Sequence, residues 1–471
     1  MRGILICIST LLVLGYLIYS AENGKSQTSP VSVEPSIITT VKSFGATGDG
    51  KTDDSAALQR AINSKIGQIT FPKGIYRITK TINIDLDQLG PTSLSSDGTA
   101  TIIMAGAGPA FRFIGTHEGT ASPHTVKENV WLNQRSPMVD GLEIVGDHPE
   151  ACGVEATGTM QITLTRLTIR RTLHAIHFVK RNRNVIVSNC HLYENRGAGV
   201  YYDEVSIHQS NIIGCHISYN AGGGVVVNKG DIRNLQIGTC DIEGNMGDKD
   251  SKPTANVLID SEGAMVGEIA IVGCTIQHDH FAPGSANIRI NENAYIRPHS
   301  TEHRDGNITI ADNVLSDVQT NIEITSARGV TVTGNTMWKG YTHNIRIHDC
   351  NNILISNNVL DRNPRYHYKD GATAQVGMLF TDCDGITVSG NLINGTGDAT
   401  PAVEIRDSRR MNITGCTILD YSTIGLLLKN VSDSRVSDCL IRTDLPGSES
   451  AQALEIIGGK DNQIVNNLYK K

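Results

Sequence analysis

A short pattern that recurs along the chain constrains its fold more than any other feature of the sequence. Each copy has an alternating apolar triplet, two small or polar residues, a Cys or Asn, and an apolar residue two positions later, as in VIVSNCHL at 185 and VTVTGNTM at 330. Aligning the copies gives one column with intervals of 22 to 39 residues: Cys190, Cys215, Cys240, Cys274, Asn313, Asn335, Asn358, Asn391, Cys416, Cys439 and Asn467. A base period of this kind is typical of a solenoid.

The alternating β-branched triplets predict short strands, so the solenoid is an all-β, right-handed parallel β-helix. Coils should lie roughly 4.8 Å apart, the spacing of strands in a sheet. The Cys/Asn column then faces inward, where Asn amides hydrogen-bond from coil to coil and Cys replaces Asn as a small buried residue. Cys350 and Cys383 share a second column, eight residues before Asn358 and Asn391. Eight of the ten cysteines are thereby explained as core residues, and disulfides are not expected.

The composition agrees with this fold and excludes one class of partner. Apolar residues make up 39% of the chain but aromatic residues only 5%, and there are 47 glycines. That is a β-rich composition of small and branched side chains. The formal net charge of -7 argues against a nucleic-acid surface, which normally carries a basic stripe.

The N-terminal segment predicts export. A positive start, MRG, precedes the apolar run ILICISTLLVLGYLIY and small residues near Ala21, so we interpret 1–21 as a signal peptide. Because Tyr19 fits a cleavage site poorly, an uncleaved anchor is the alternative. Residues 22–38 are interpreted as a linker, and 39–471 as the β-helix domain. The expected location is outside the cytoplasm: secreted, periplasmic or at the cell surface.

The string GATGDGKT at 45–52 has the spacing of a nucleotide-binding P-loop. A P-loop also requires a helix that begins at its Lys-Thr inside a βαβ unit, whereas here the helical pattern begins later, in DDSAALQRAI. Thr52, Asp53 or Asp54 could cap this helix, and its apolar stripe is Ala57, Leu58, Ala61 and Ile62. We therefore predict a helix that caps the N-terminal end of the solenoid, and no nucleotide partner.

The longer sequence around that string resembles a known family. VKSFGATGDGKTDDSAALQRAI followed by QITFPKGIYRITKTINI resembles the N-terminus of the pectate-lyase-like superfamily, which includes rhamnogalacturonase-like and epimerase-like domains and phage tailspikes. The resemblance implies a β-helix and a carbohydrate as the class of substrate. The Asn-Thr-Asp, Gly-His-Gly and Arg-Ile-Lys signatures of polygalacturonase-type hydrolases and the Tyr-Gly-x-Asp-Pro-His signature of alginate epimerases do not occur. The resemblance therefore carries over no catalytic residue.

Candidate catalytic residues come instead from an outward column of the repeat. Twelve positions before the ladder residues, the centre of each strand is Glu323, Arg346, Leu379, Glu404, Leu427 and Glu455. Adding the next outward positions gives one predicted catalytic patch: Glu323, Arg346, His348, Asp349, Asp382, Glu404, Arg406 and Asp407. Carboxylates on neighbouring coils would be about 5 to 10 Å apart, a separation that suits glycosidase acid and base pairs. Arg and His could bind a uronate or take a proton in β-elimination.

Other interpretations of this patch remain open. Arg346 and its acidic neighbours could form a surface charge ladder. Asp349, Asp382 and Asp407 end their strands, where Asp commonly serves a turn. Stacked acids could also hold Ca²⁺, which is the only cofactor that we regard as possible.

Three insertions leave the coil at one point, just before the charged strand. They span 245–256, 277–287 and 361–375, and we expect them to border that face as loops. The third, with Arg289 in the strand NIRIN, supplies the predicted substrate-binding residues: Arg289, Arg365, Tyr366, His367, Tyr368 and Lys369. No metal site is predicted. His174 and His177 are three positions apart, so we expect them on opposite faces of a strand, as a poor pair.

The sequence thus predicts a secreted carbohydrate-active protein, a polysaccharide lyase or glycoside hydrolase acting on an acidic polysaccharide. The alternative is a non-catalytic β-helix that binds glycans or serves as a cell-surface structural element. Membrane contact is expected only through the N-terminal segment, if it stays uncleaved.

Overall fold

The structure is a computed structural model, and it describes residues 39–262, 264–291, 306–362, 377–395 and 401–469. The predicted signal peptide and linker lie outside these residues. Thr40–Lys471 forms one compact unit. No helix within the described ranges is long and apolar enough to cross a membrane.

Strands stack in parallel from coil to coil, which confirms the predicted β-helix. Within the described residues they form one sheet of 28 strands and one of 16. The larger sheet bends at a corner into two faces, and two strands, Ile176–Ser188 and Ala198–Ile213, run through that corner without a break. A typical coil therefore has three faces, and the chain runs through them in the order face 1, face 2 and face 3.

The strands of face 1 are Ile82–Asp85, Gly108–Ile114, Ala151–Thr157, the first parts of Ile176–Ser188 and Ala198–Ile213, Gly223–Asn228, Ala255–Asp260, Ala286–Asn291, Val318–Thr325, Gly340–His348, Met378–Thr381, Val403–Arg406, Ile424–Lys429 and Gln452–Ile457. Those of face 2 are Gln68–Thr70, Ser93–Ser95, Met138–Asp140, Thr159–Met160, Thr163–Thr165, the second parts of the two long strands, Asp231–Gly238, Val266–Val272, Gly306–Ala311, Arg328–Thr333, Asn351–Ser356, Thr387–Ser389, Asn412–Thr414, Arg435–Ser437 and Gln463–Val465. Those of face 3 are Asp49–Asp53, Gly74–Ile78, Ala100–Met104, Glu143–Gly146, Thr168–Arg170, His191–Tyr193, His216–Ser218, Asp241–Glu243, Thr275–Gln277, Val314–Ser316, Thr336–Met337, Val359–Asp361, Leu392–Asn394, Thr417–Leu419, Leu440–Arg442 and Leu468–Tyr469.

The predicted Cys/Asn column is an inward ladder of hydrogen bonds. Asn313 Nδ2 donates to Asn335 Oδ1 (3.0 Å), and the same contact links Asn335 to Asn358 and Asn358 to Asn391 (2.9 Å each). All nine cysteines of the described residues are buried and none is in a disulfide; they are the eight predicted core cysteines and Cys152, which the repeat did not place. Because each amide finds its partner one coil away, the ladder satisfies polar groups that burial would otherwise penalise.

A second ladder, which the sequence analysis did not identify, occupies the corner between face 3 and face 1. Each amide nitrogen donates to the oxygen of the next member at 2.5 to 2.9 Å, in the order Asn195, Asn220, Asn245, Asn256, Asn287, Asn321 and Asn344. Its members lie 11 to 34 residues apart, because the insertions leave the coil at this corner. That irregular spacing hid the ladder from a search for a fixed period.

The capping helix spans Ser55–Asn63 and buries the predicted stripe of Ala57, Leu58, Ala61 and Ile62. Four short helical segments accompany it: Val41–Phe44, Leu86–Leu89, Pro123–Thr125 and Val130–Gln134. The helix contacts the first strand of face 1 and the segment Val41–Phe44. The predicted cap therefore covers the N-terminal end of the core.

The backbone N–H groups of GATGDGKT donate hydrogen bonds to carboxylates within the string and just after it. Asp54 is the residue that caps the helix, but its carboxylate accepts from the N–H groups of Thr47 (2.7 Å) and Gly48 (3.0 Å). Asp53 accepts from the N–H of Ser55 at 3.0 Å, and Asp49 accepts from two further N–H groups at 2.8 Å each. The N–H groups that a P-loop would offer to phosphate are thus occupied within the segment.

Candidate functional site

One outward column runs along face 1 in unbroken register. The strand pairings place its members side by side on successive coils: Arg112, Glu155, His177, Tyr201, Val226, Leu258, Arg289, Glu323, Arg346, Leu379, Glu404, Leu427 and Glu455. The six residues that the sequence placed in one column are therefore confirmed as neighbours. The column also extends toward the N-terminus, beyond the predicted patch.

Glu323 is held between two arginines of the adjacent coils. Arg289 Nε lies 2.8 Å from Glu323 Oε2, and Arg346 Nη1 lies 2.9 Å from Oε1. The side chains of Arg289 and Glu323 are about 15% exposed, whereas that of Arg346 is 49% exposed. We call the depression of about 280 Å³ beside this triad the basic depression; it is lined by Pro283, Gly284, Arg289, Gln319, Thr320, Glu323, Thr342 and Arg346. Two guanidinium groups and one carboxylate leave it one net positive charge.

The other predicted catalytic side chains do not join this triad. Glu404 pairs with Arg406 of its own strand, and Leu379 separates this pair from Arg346. His348 Nδ1 lies 2.8 Å from Thr381 Oγ1 and 3.5 Å from an oxygen of Asp382. The predicted patch is therefore a row of separate pairs.

The three predicted aspartates occupy the corner between face 1 and face 2. Asp349, Asp382 and Asp407 have left-handed backbones, with φ of 51°, 56° and 47°. Their N–H groups donate to carbonyls of the following coil at 2.9 to 3.3 Å. Asp is one of the few side chains that tolerate this conformation. All three therefore lie in turns, as that interpretation expected, and two of their carboxylates accept from side chains: Asp349 from Ser326 Oγ at 2.7 Å and Asp407 from Asn430 Nδ2 at 2.9 Å.

Two of the three predicted loops border face 1. Arg289 donates to the carbonyl oxygens of Thr254 (3.2 Å) and Gly284, one in each loop. From the second loop, the His280 ring stacks on Tyr341 with centroids 3.9 Å apart. The third loop lies outside the described residues from 363 to 376, so the predicted binding residues Arg365, Tyr366, His367, Tyr368 and Lys369 remain predictions.

The expectation that His174 and His177 form a poor pair is wrong. Their ring centroids are 5.4 Å apart, and the Tyr201 ring stacks against both, at 4.4 and 5.3 Å. The strand begins only at Ile176, so His174 lies in the turn before it and does not follow strand alternation. Sequence spacing alone could not reveal this.

His177 is the centre of a charged cluster on three successive coils. Its Nδ1 lies 3.5 Å from Glu155 Oε2, and its Nε2 lies 3.2 Å from Asp203 Oδ2. The other Glu155 oxygen lies 2.6 Å from Arg112 Nε. Burial by itself would raise the pKa of Glu155, but the hydrogen bonds from His177 and Arg112 outweigh it and lower that pKa. Glu155 is therefore ionised at neutral pH.

The rings beside this cluster are held in neutral forms. Burial, with a smaller contribution from His177, lowers the pKa of His174 to about 4. Burial, followed by the charge of Asp203, raises the pKa of Tyr201 to about 12. The N–H of Ala198 donates to His174 Nδ1 at 3.1 Å, so the proton of the neutral ring is on Nε2.

A second depression, of about 230 Å³, adjoins these rings; we call it the acidic depression. It is lined by His174, Ala198, Tyr201, Gly222, Val226, Val227, Asn228, Leu258 and Asp260. The sequence does carry a signal for it, because the strands GVYYD, GVVVN and NVLID continue the same outward column as NIRIN and NIEIT. Extending the register toward the N-terminus would have found Tyr201.

No three or more His, Cys, Asp or Glu side chains within the described ranges are arranged to hold a metal ion. Ca²⁺ stays a prediction from the sequence.

Three family models match the chain in succession. Residues 38–108 match "Rhamnogalacturonase A/epimerase, pectate lyase-like", residues 130–276 match "Right handed beta helix region", and residues 268–471 match "Periplasmic copper-binding protein (NosD)". The chain has the right-handed β-helix fold of the pectate-lyase-like superfamily. No curated protein matches the sequence.

Solved structures with this fold are distant in sequence. Tailspike protein 3 of bacteriophage CBA120 is 14% identical, with a TM-score of 0.50 over 97% of this chain and 68% of the tailspike. Gene product 12 of bacteriophage phi29, in its pre-mature form, is 14% identical, with a TM-score of 0.51 over 96% of this chain and 59% of its own. At this identity the likeness establishes the β-helix fold alone.

Proposed function

We propose that this protein is an exported carbohydrate-active β-helix protein that binds an acidic polysaccharide along face 1 and cleaves it as a lyase or hydrolase. The observation that carries the proposal is the basic depression, where Glu323 orients two arginines and leaves one positive charge in excess. The match of residues 38–108 to the rhamnogalacturonase and epimerase family model supports carbohydrate as the class of substrate.

The basic depression suits a uronate by its chemistry. Guanidinium groups only donate hydrogen bonds, and their planar fork fits a carboxylate with two parallel bonds. Arg346 is half exposed and already has one nitrogen on Glu323, so its remaining N–H groups can bind a ligand. Arg289 serves mainly to fix Glu323 and the two loops.

Within this proposal, His348 and Asp382 are the pair best placed to move a proton, because they lie in contact and are both about half exposed. Glu404 and Arg406 continue the charged row along the polysaccharide. Asp349 and Asp407 have structural corner positions, and a catalytic part for them remains a prediction from the sequence.

A specific observation also favours the non-catalytic alternative. Glu323 and Glu404 are both engaged by arginines. These ion pairs hold both carboxylates in place as structural partners of the arginines. A face built in this way binds glycans without cleaving them.

The location outside the cytoplasm belongs to the same proposal. It is supported by the apolar N-terminal segment of the sequence and by the match of residues 268–471 to a family described as periplasmic.

The test is a screen against pectins, alginate and sulfated glycans that measures both absorbance at 235 nm and new reducing ends. Absorbance indicates elimination, and reducing ends alone indicate hydrolysis. Arg346→Ala should abolish binding and turnover of the acidic polysaccharide. Arg442→Ala is the matched control, since Arg442 is 51% exposed and paired with Asp444 on face 3.

Full activity of Arg346→Ala would show that the basic depression is not the site. Binding on a glycan array without turnover of any substrate would instead support the non-catalytic alternative.

A further inference from the structure

We infer that the acidic depression is a second carbohydrate subsite, which takes a sugar unit that carries no carboxylate. This inference rests on the proposed function, because it assumes that face 1 binds a polysaccharide. The proposed substrate is then mixed, with its acidic units at the basic depression and its non-acidic units at the acidic depression of face 1.

The acidic depression has the shape and the surfaces that a sugar ring requires. Tyr201 and His174, stacked 4.4 Å apart at 20°, form an aromatic wall, and Val226 and Leu258 occupy the next two positions of the outward column. Most coils with described neighbours carry a polar or charged side chain at this column, so an apolar pair beside a ring is a local departure. Aromatic and apolar surfaces bind the C–H face of a pyranose, while its hydroxyl groups stay at the rim.

The polar groups at the rim decide which sugar fits. Asp203, Asn228 and Asp260 are neighbours on successive coils, two positions further along the strands than Tyr201, Val226 and Leu258. Ionised carboxylates only accept hydrogen bonds, so they need hydroxyl or amino donors on the ligand. A uronate would bring a second acceptor-only group beside Asp260, the carboxylate that lines this depression, and would be repelled.

The surrounding charges strengthen that selection. Arg112 already pairs with Glu155, and neutral His174 adds no positive charge. Asp260 lines the depression, and Lys229, whose charge reaches Asp260, is already paired with Glu262 at 3.0 Å. Asp203 lies beside the lining, where His177 and the Asn228 amide contact it. The basic depression has the opposite charge and hydrogen-bonding groups, with arginine donors and an excess of positive charge.

The two depressions are neighbours along face 1. Leu258 of the acidic depression and Arg289 of the basic depression are paired neighbours in register. Tyr201 and Glu323 are separated by four coil steps, which is roughly 19 Å at the strand spacing of a sheet. A single oligosaccharide laid along the helix axis can therefore reach both.

The test is calorimetric titration of the full-length protein with three oligosaccharides of equal length: a uronate polymer, a neutral polymer and a polymer of amino sugars. Tyr201→Ala removes the aromatic wall and should weaken neutral and amino-sugar binding about tenfold or more, with uronate binding unchanged. Arg346→Ala should have the reverse effect. Tyr219→Ala is the control, since Tyr219 is an exposed aromatic residue elsewhere on the coil.

Asp260→Asn provides a second variant in case Tyr201→Ala folds poorly, because it keeps the shape of a half-buried side chain and removes only its charge. It should weaken amino-sugar binding about tenfold and neutral-sugar binding less. Stronger wild-type binding of the amino polymer than of the neutral one would identify the ligand donor as an ammonium group, and the reverse would identify it as a hydroxyl group.

The outcomes separate the two proposals. Wild-type protein that binds uronate but neither other polymer overturns this inference and leaves the proposed function standing. Binding of none of the three overturns both. Neutral or amino-sugar binding that neither Tyr201→Ala nor Asp260→Asn weakens places the subsite elsewhere and overturns the assignment.

Discussion

The two depressions of face 1 use the same outward column but bury their charges to different degrees. In the charged cluster beside the acidic depression, the side chains of Glu155 and His177 are each 15% exposed and contact one another. In the C-terminal patch, Arg346 and His348 are 49% and 44% exposed. The charged groups of the first region are therefore largely shielded from water, whereas those of the second remain in contact with it.

This difference indicates how a solenoid can place two kinds of site on one surface. The backbone of each coil is nearly the same, so the local chemistry depends on side chains and on what covers them. Stacked rings and apolar neighbours bury the N-terminal groups, whereas Asp382 and Asp407 at the corner between face 1 and face 2 are exposed. Three predictions test the comparison.

The largest expected effect is a loss of stability in mild acid that depends on His174. Its pKa is about 4 in the folded chain and about 6.5 when unfolded, so below pH 6.5 the unfolded chain takes up a proton that the folded chain does not. The free energy of unfolding should fall by about 3 kcal/mol between pH 6.5 and 4 from this group, with no contribution above pH 6.5. Urea unfolding followed by circular dichroism across this range measures it.

The variant His174→Gln should remove that part of the pH dependence, while His348→Gln should leave it intact. If the free energy of unfolding of His174→Gln fell with pH as steeply as that of the wild type, protonation of His174 would not be coupled to folding.

The second largest effect should come from removing the charge of Glu155 in the charged cluster around His177. Glu155→Gln leaves Arg112 and His177 without their charged partner, and we expect it to cost about 1 to 3 kcal/mol of unfolding free energy at pH 7. The matched change in the other region, Asp382→Asn, should cost less than about 0.5 kcal/mol, because Asp382 is 57% exposed. Similar costs for the two variants would remove the distinction between the regions.

The smallest effect concerns Arg346. Because it is half exposed and Glu323 keeps its bond to Arg289, Arg346→Ala should lower the unfolding free energy by less than about 1 kcal/mol. Thermal unfolding measures it. A larger loss would mean that Arg346 is a structural residue, and its proposed use in binding would then be undermined.

The sequence predicted the regular part of this molecule residue by residue. Glu323, Arg346, Leu379 and Glu404 are paired neighbours because an alternating strand fixes which side chains point outward once the period is known. The Cys/Asn ladder follows from the same period. The corner position of Asp349 was also accessible, as Asp is suited to a left-handed turn.

The acidic depression was missed for two physical reasons. His174 lies in a turn, where strand alternation does not apply, and its contact with Tyr201 comes from the next coil. The pairing of Glu323 with both arginines was likewise beyond the sequence, because it depends on side-chain rotamers and not on register. The spacing of the repeat predicts which residues are neighbours on successive coils, but not which neighbouring side chains form hydrogen bonds or ion pairs.

The second asparagine ladder has a consequence for how such a protein can diversify. From Asn195 to Asn344 it joins the chain at the corner where the loops leave, through side-chain hydrogen bonds that form whether the next member is 11 or 34 residues away. A loop can therefore lengthen, shorten or be exchanged for another while the coils on either side keep their register. The coils therefore form a constant scaffold. New ligand preferences can arise when the loops at this corner are exchanged, without any change in the scaffold.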